Sequence, residues 1–273
     1  MDNPLGLKLN TEVRPFDAIL FEDDSAYYGD RDYMTNSRFG NMLDNVHDFY
    51  AHLKGEYEYS TEEQVFVFGR FVHVLSLEAE KAGMFNMVDV KSRRTNKFEE
   101  AKAEFGFDWV LTRPEFYQGK NMSDSFLKAD GIKELLAVSE NEKAYVGLDP
   151  FGFNVPIKGK VDIYTPKHPD NGAVVIGDIK TTGKSIDDFV YSIKTFNYDR
   201  QAAMYMSLTG ADEFHFYPIT KKGGHAVAKY IVERDSKTFS NGMYKFEAAV
   251  SKYHRLFVEG KYSPTHLHEV KLP

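Results

Sequence analysis

The chain has 273 residues, 42% hydrophobic and 15% aromatic, enough for a packed core, so wholesale disorder is excluded. It contains no cysteine, which excludes disulfides, thiolate zinc sites and cysteine-held iron–sulfur clusters. The net charge of −7 argues against a surface coated in basic residues but leaves room for a local cationic channel, since acids around a metal ion count as negative while being neutralised at work.

Residues 1–30 are mixed, with an acidic patch at Glu22-Asp23-Asp24, and read as a loop or edge strand. The start MDNPLGLKLNTEVRP lacks the basic-then-apolar order of a signal peptide. No apolar run approaches the roughly 18 residues that span a bilayer. A soluble, intracellular enzyme with no membrane partner is the expectation.

From Asn36, apolar residues at Phe39, Met42, Leu43, Val46, Phe49, Tyr50 and Leu53 recur at helical steps, with Ser37 as a candidate cap. A second helix is expected over residues 62–82, with Gly69 and His73 four apart on one face. The stretch 91–104 opens with Lys91, Arg93, Arg94 and Lys97 and then turns acidic, and residues 123–138 again read as a helix. Residues 144–148 and 155–164 look like strands joined by the turn Asp149-Pro150-Phe151-Gly152. After a turn over 165–172 comes the strand Val174 to Lys180. Residues 186–208 form the strongest later helical segment. Strands at 215–219 and 226–232 flank Lys221-Lys222-Gly223-Gly224, and a helix over 239–257 closes the chain.

Two adjacent strands each deliver one carboxylate, Asp162 and Asp178, and alternation puts Lys180 on the same face as Asp178. Two acids and a lysine beside a polar loop are the minimum for holding a divalent ion and hydrolysing a phosphate ester. Such an ion would polarise a phosphoryl oxygen, with Lys180 supplying charge stabilisation. A strand-end salt bridge is the bland alternative, since D-x-K is common by chance. Gln201 and Tyr205 share a helix face, where a packed boundary competes with a polar role. His73 is an imidazole on an apolar helix, and a core histidine is the usual reading of one alone.

The run Gly177 to Ser185 imitates a phosphate-binding loop, but five residues separate its glycines where four are required, so a nucleoside triphosphatase is rejected. His266-x-His268 lacks a third ligand at recognisable spacing and reads as a solvated tail.

Taken together, these residues resemble the PD-(D/E)XK nuclease superfamily, in detail its RecB-like and RecE-like, phage-type exonuclease branch. Gly69-Arg-Phe-Val-His73-Val-Leu-Ser-Leu77-Glu78 is similar to the branch's G-x-x-x-H-x-x-x-L-E helix, and Gly159-Lys-Val-Asp162 to its second motif. Asp178-Ile-Lys180-Thr-Thr resembles its D-x-K-T-T strand, and Tyr198-Asp-Arg-Gln201-Ala-Ala-Met-Tyr205 its Y-x-x-Q-x-x-x-Y helix. Any one motif is weak, but the four stand in order between about residue 36 and residue 210.

The resemblance implies an α/β fold: a central mixed β-sheet flanked by helices, restriction-endonuclease-like, behind an N-terminal helical segment. It implies a single domain over 1–273, with a helical part at 36–140, a sheet core at 142–235 and a closing helix at 239–258. It also implies His73, Asp162 and Asp178 as ligands of Mg²⁺ or Mn²⁺, the Ile179 carbonyl completing the shell, and Lys180 as catalytic, with Gln201 and Tyr205 beside them. Glu142 is a candidate further ligand, with Glu140 competing for that place. Relatives bearing iron–sulfur clusters use four cysteines, so this chain is expected to carry no such cluster.

The implied activity is a metal-dependent exonuclease on double-stranded DNA with a free end, serving phage-type recombination with a single-strand annealing protein. A homo-oligomer and a cytoplasmic location in a bacterial or phage-infected cell accompany it. Lys91 to Lys97 and Lys221-Lys222 are candidate phosphate contacts, against the reading of a solvated face. The alternatives are an endonuclease of the same superfamily and a non-catalytic DNA-binding scaffold.

Overall fold

Val161, Ile163, Val175, Ile176 and Ile179 are all buried, and these β-branched residues set the middle of a sheet covered on both faces. The structure is a computed structural model that describes residues 17–18, 24–59 and 64–264. The histidines at 266 and 268 and the acids at 22 and 23 lie outside the described residues.

In chain order, an edge strand β1 (Asp17–Ala18) and a short helix α1 (Asp24–Gly29) lead into α2 (Asn36–Asp44) and α3 (Val46–Leu53). Then come α4 (Gln64–Leu77), a 3₁₀ turn (Ala79–Met84), β2 (Asn86–Val88), α5 (Asn96–Phe105), β3 (Val110–Thr112), α6 (Arg113–Leu127) and α7 (Ile132–Ala137). The sheet core follows as β4 (Glu140–Leu148), β5 (Pro156–Thr165) and β6 (Val175–Thr182). Next are α8 (Phe189–Thr195), α9 (Tyr198–Thr209), β7 (Glu213–Thr220), β8 (Tyr230–Glu233) and α10 (Lys237–Tyr253).

The main sheet has the order β1-β4-β5-β6-β7-β8, and β6 and β7 run parallel while the other neighbours are antiparallel. It is the expected mixed sheet flanked by helices. On one face, Ile176, Phe214, Phe216 and Val232 pack with Phe39, Phe49, Met204 and Phe246 from α2, α3, α9 and α10. On the other, Ile163, Ile179 and Ile219 pack with Phe68, Phe71, Val72, Met122 and Phe126 from α4 and α6.

Several boundaries differ from those read in the sequence. The helix expected from Asn36 onward is two helices. Asn45 is extended, and its side chain accepts from the His47 and Asp48 amides, which caps α3. The cap of α2 is Thr35, which accepts from Arg38 N, so Ser37 lies inside the first turn. Residues 186–208 likewise split at Asn197, whose φ of 53° is left-handed. The helix expected from 123 starts at Arg113, behind a capping box of Thr112 and Glu115. The small parallel pair β2–β3 had no counterpart in the sequence reading.

One irregularity decides where chemistry can occur. β5 and β6 pair only over Ile163–Thr165 and Val175–Gly177, and beyond that point they part. Val161 belongs to the α9–α10 side and Ile163 to the α4–α6 side, although residues two apart should share a face, so the alternation shifts by one across Asp162. Opposite this position in β4, Glu142 adopts φ 55°, a left-handed conformation that costs a non-glycine residue of the order of 1–3 kcal/mol.

Candidate metal centre and active site

The fork between β5 and β6 opens at Asp162. Its Oδ2 accepts the Ile179 amide at 2.8 Å, taking a donor that the sheet ladder no longer uses. From the α4 layer, His73 reaches the same place: Nδ1 is 3.1 Å from Asp162 Oδ2, and Nε2 is 2.6 Å from the Ile179 carbonyl oxygen. Gly69, one turn before His73, faces Thr181 of β6, but a Cβ there would meet its Oγ1 at an ordinary 4.0 Å, so the approach of α4 does not depend on the glycine.

Glu142 completes the cluster. One ligand atom from each of His73, Glu142 and Asp162 lies within 4.8 Å of the others. Glu140, the competing acid, points elsewhere and pairs with Lys143. Lys160 holds Glu142 at 2.7 Å, a partner the sequence reading did not name although it lies two residues before Asp162.

Asp178 and Lys180 face the other way, toward α9. Lys180 Nζ stands 2.9 Å from Asp178 Oδ1 and 2.6 Å from Oδ2, and Gln201 Nε2 donates to Oδ1 at 3.1 Å. Asp178 is only 6% exposed, and its Oδ2 accepts no well-angled hydrogen bond. Lys180 also lies 4.9 Å from the centre of the Tyr198 ring, a cation–π contact. Tyr205 packs its ring against β5, where a Cβ at Gly159 would meet its Cε1 at 2.7 Å. Thus the glycine of the Gly159-to-Asp162 motif and the last tyrosine of the α9 motif fit each other. The structure brings His73, Asp162, Glu142 and the Ile179 carbonyl into one cluster, and Asp178, Lys180 and Gln201 into a network beside it.

Electrostatics follow from burial. Loss of solvent pushes the Asp162 carboxyl up to about 7; Asp178 and Glu142 add to the push while His73 and Lys180 resist it. For Lys180, burial works against the charge, but Asp178, Tyr198 and Asp162 outweigh it and hold the ammonium above its usual value. Burial raises the Tyr205 hydroxyl well above the usual phenol, so it stays protonated.

The two basic stretches meet at the C-terminal end of β6. Lys221 N donates to Thr182 O at 2.7 Å, its ammonium lies 4.7 Å from the Phe68 ring centre, and burial together with Arg93 lowers its pKa. Arg93 pairs with Glu115.

Residues 35–270 match a PDDEXK-like domain of unknown function, DUF3799. The chain belongs to that family. Its fold is similar to that of a protein from Eubacterium rectale described as a "putative exonuclease", with TM-score 0.65 and 16% identity over 94% of this chain and 96% of that one. A phage-related exonuclease from Haemophilus somnus 129PT gives TM-score 0.37 and 15% identity over 70% of this chain and 95% of that one. No curated protein matches the sequence. Membership in this PDDEXK-like family agrees with the four motifs, and the similar solved structure agrees with the fold. PD-(D/E)XK nucleases use divalent metal, and the cluster of His73, Glu142 and Asp162 is the matching feature here. Among the described residues no helix is long and apolar enough to cross a membrane.

Proposed function

We propose that this PDDEXK-like protein is a Mg²⁺- or Mn²⁺-dependent deoxyribonuclease, an exonuclease acting on duplex ends. The observation that carries the proposal is the convergence of His73, Glu142, Asp162 and the Ile179 carbonyl at the β5–β6 fork, with Lys180 alongside. One imidazole and several oxygens make a donor set suited to a small hard cation. The chemistry of the site is compatible with one: Asp162 is buried beside two further carboxylates, and loss of solvent together with those neighbours disfavours its charge in the absence of a cation. Asp162, Glu142, His73 and the Ile179 carbonyl would hold the ion; Asp178, the further expected ligand, stands outside that cluster and is held by Lys180 and Gln201. When bound, it would polarise a phosphoryl oxygen and lower the pKa of a water.

The chain's own residues do the rest. Asp178 fixes the Lys180 ammonium, and Gln201 fixes Asp178, so the lysine has one orientation. Its charge is placed to hold a phosphate oxygen or the attacking water and to offset charge that grows as the P–O bond breaks. Lys221 and Arg93, at the end of the same strand, extend positive charge along the path of a backbone. Service in phage-type recombination, with a single-strand annealing protein and a homo-oligomeric assembly, accords with this reading.

The test is digestion of end-labelled linear duplex and closed circular DNA, with Mg²⁺ or with chelator. The expected result is metal-dependent loss of the linear substrate alone. Cleavage of the circle would instead make the enzyme an endonuclease. Lys180→Ala and Asp178→Ala should each reduce cleavage by about 100-fold or more. Unchanged cutting by either folded variant would sink the proposal.

A further inference from the structure

The α8–α9 corner carries an outcrop that the nuclease reading does not use. Phe196 closes α8 and is 56% exposed, although it is a large apolar ring. It stands 5.6 Å from Tyr198, centre to centre, and Tyr198 is the ring beneath the Lys180 ammonium. Lys184 approaches Phe196 from outside, at 5.9 Å from the ring centre. Two adjoining rings therefore lie between two cations, in the order Lys180, Tyr198, Phe196, Lys184.

The outcrop is held firmly. Tyr198 is stacked on Phe189 and on Phe216, which tie it to the core. The left-handed turn at Asn197 that separates the two helices is pinned by Lys245, whose ammonium lies 3.0 Å from Asn197 Oδ1 and 3.0 Å from Asp199 Oδ1. An exposed aromatic on a rigid corner is prepaid for contact. Charge selects the occupant, because a pair of rings with a lysine at each end suits a flat group joined to an anion.

We propose that Phe196 is a stacking platform for an unpaired nucleobase of the strand whose phosphate lies at Lys180. This inference rests on the nuclease reading and narrows its substrate: a nucleotide next to the cleaved bond is unstacked from its duplex and laid on the ring. A base still paired presents only an edge to such a wall, whereas every freed base has a π-face to offer. Lys184 then meets a neighbouring phosphate.

The test uses the full chain with Mg²⁺ and phosphorothioate-linked oligonucleotides that resist hydrolysis, carrying 2-aminopurine at successive positions from an unpaired end. Stacking quenches this base, so the expected result is quenching confined to one or two positions. Phe196→Ala should abolish it and weaken binding by roughly tenfold, and Phe196→Trp should retain both. The ring is exposed, so Phe196→Ala should melt as the parent does. Binding and quenching unchanged in Phe196→Ala, while the parent binds and cleaves DNA, would overturn the inference and leave the nuclease reading standing. Failure of the parent to bind any DNA would overturn both.

Discussion

At the residue scale, the proton count around Asp162 is informative. His73 places one ring nitrogen against Asp162 and the other against a carbonyl oxygen. Loss of solvent, with Asp178 and Glu142 adding to it, raises the Asp162 carboxyl to about 7, so near neutral pH the metal-free site holds part of a proton there. Metal binding should expel it, since ligands must be deprotonated. Calorimetry with Mn²⁺ near pH 7 in buffers of different ionisation enthalpy should show proton release, and a heat independent of buffer would contradict it. His73→Ala and Glu142→Gln should each weaken Mn²⁺ binding at least as much as loss of an outer-shell partner, about 10- to 100-fold. Glu140→Gln should leave it unchanged, because Glu140 pairs with Lys143 away from the cluster.

At the scale of elements, two close approaches hold the helix layer that backs Asp178. A Cβ at Gly159 would stand 2.7 Å from a Tyr205 ring carbon, and one at Gly242 of α10 would stand 2.1 Å from the Asp199 carbonyl oxygen of α9. A ring can tilt, but a helix backbone can only retreat. Gly159→Ala should cost about 1–3 kcal/mol and be relieved by Tyr205→Leu in a double-mutant cycle, whereas Gly242→Ala should cost at least as much and resist any single side-chain rescue. Urea denaturation measures both, and a neutral Gly242→Ala would mean that α9 and α10 can separate freely. The same elements show what the sequence could reveal. Gly159 and Tyr205 were visible as members of motifs, because motif spacing survives in one dimension. Their mutual fit was not, since it depends on α9 crossing β5. The breaks at Asn45 and Asn197 went unread for a related reason: apolar periodicity runs on across one residue, and only backbone angle separates two helices. The start of α6 also went unread, although Thr112, Pro114 and Glu115 are cap signals, because apolar periodicity places the helix only from Ser123.

At the scale of the molecule, the candidate centre is a seam between layers. α4 supplies His73 from one face of the sheet, α9 supplies Gln201 from the other, and β4 supplies Glu142 through a strained residue. The fold class and the residues of the D-x-K strand could be inferred from the chain alone, but the choice of Glu142 over Glu140 needed the fork and the shifted alternation. Such a seam couples metal binding to global stability, because the unfolded chain has no assembled site. In the metal-free protein the Asp162 carboxyl sits at about 7, above its unfolded value of roughly 4, so the folded state binds more protons between those limits. Its contribution to stability is therefore complete at low pH and is lost as pH rises through about 7. Metal reverses the trend, since it binds the ionised form and stabilises only the folded chain, by about 2.7 kcal/mol at a hundredfold excess over Kd. Thermal melts at pH 6 and pH 8 should then show Mn²⁺ raising Tm more at pH 8, by several degrees. Asp162→Asn should abolish both the metal response and this part of the pH dependence, and an equal Mn²⁺ shift in that variant would show that the ion binds elsewhere.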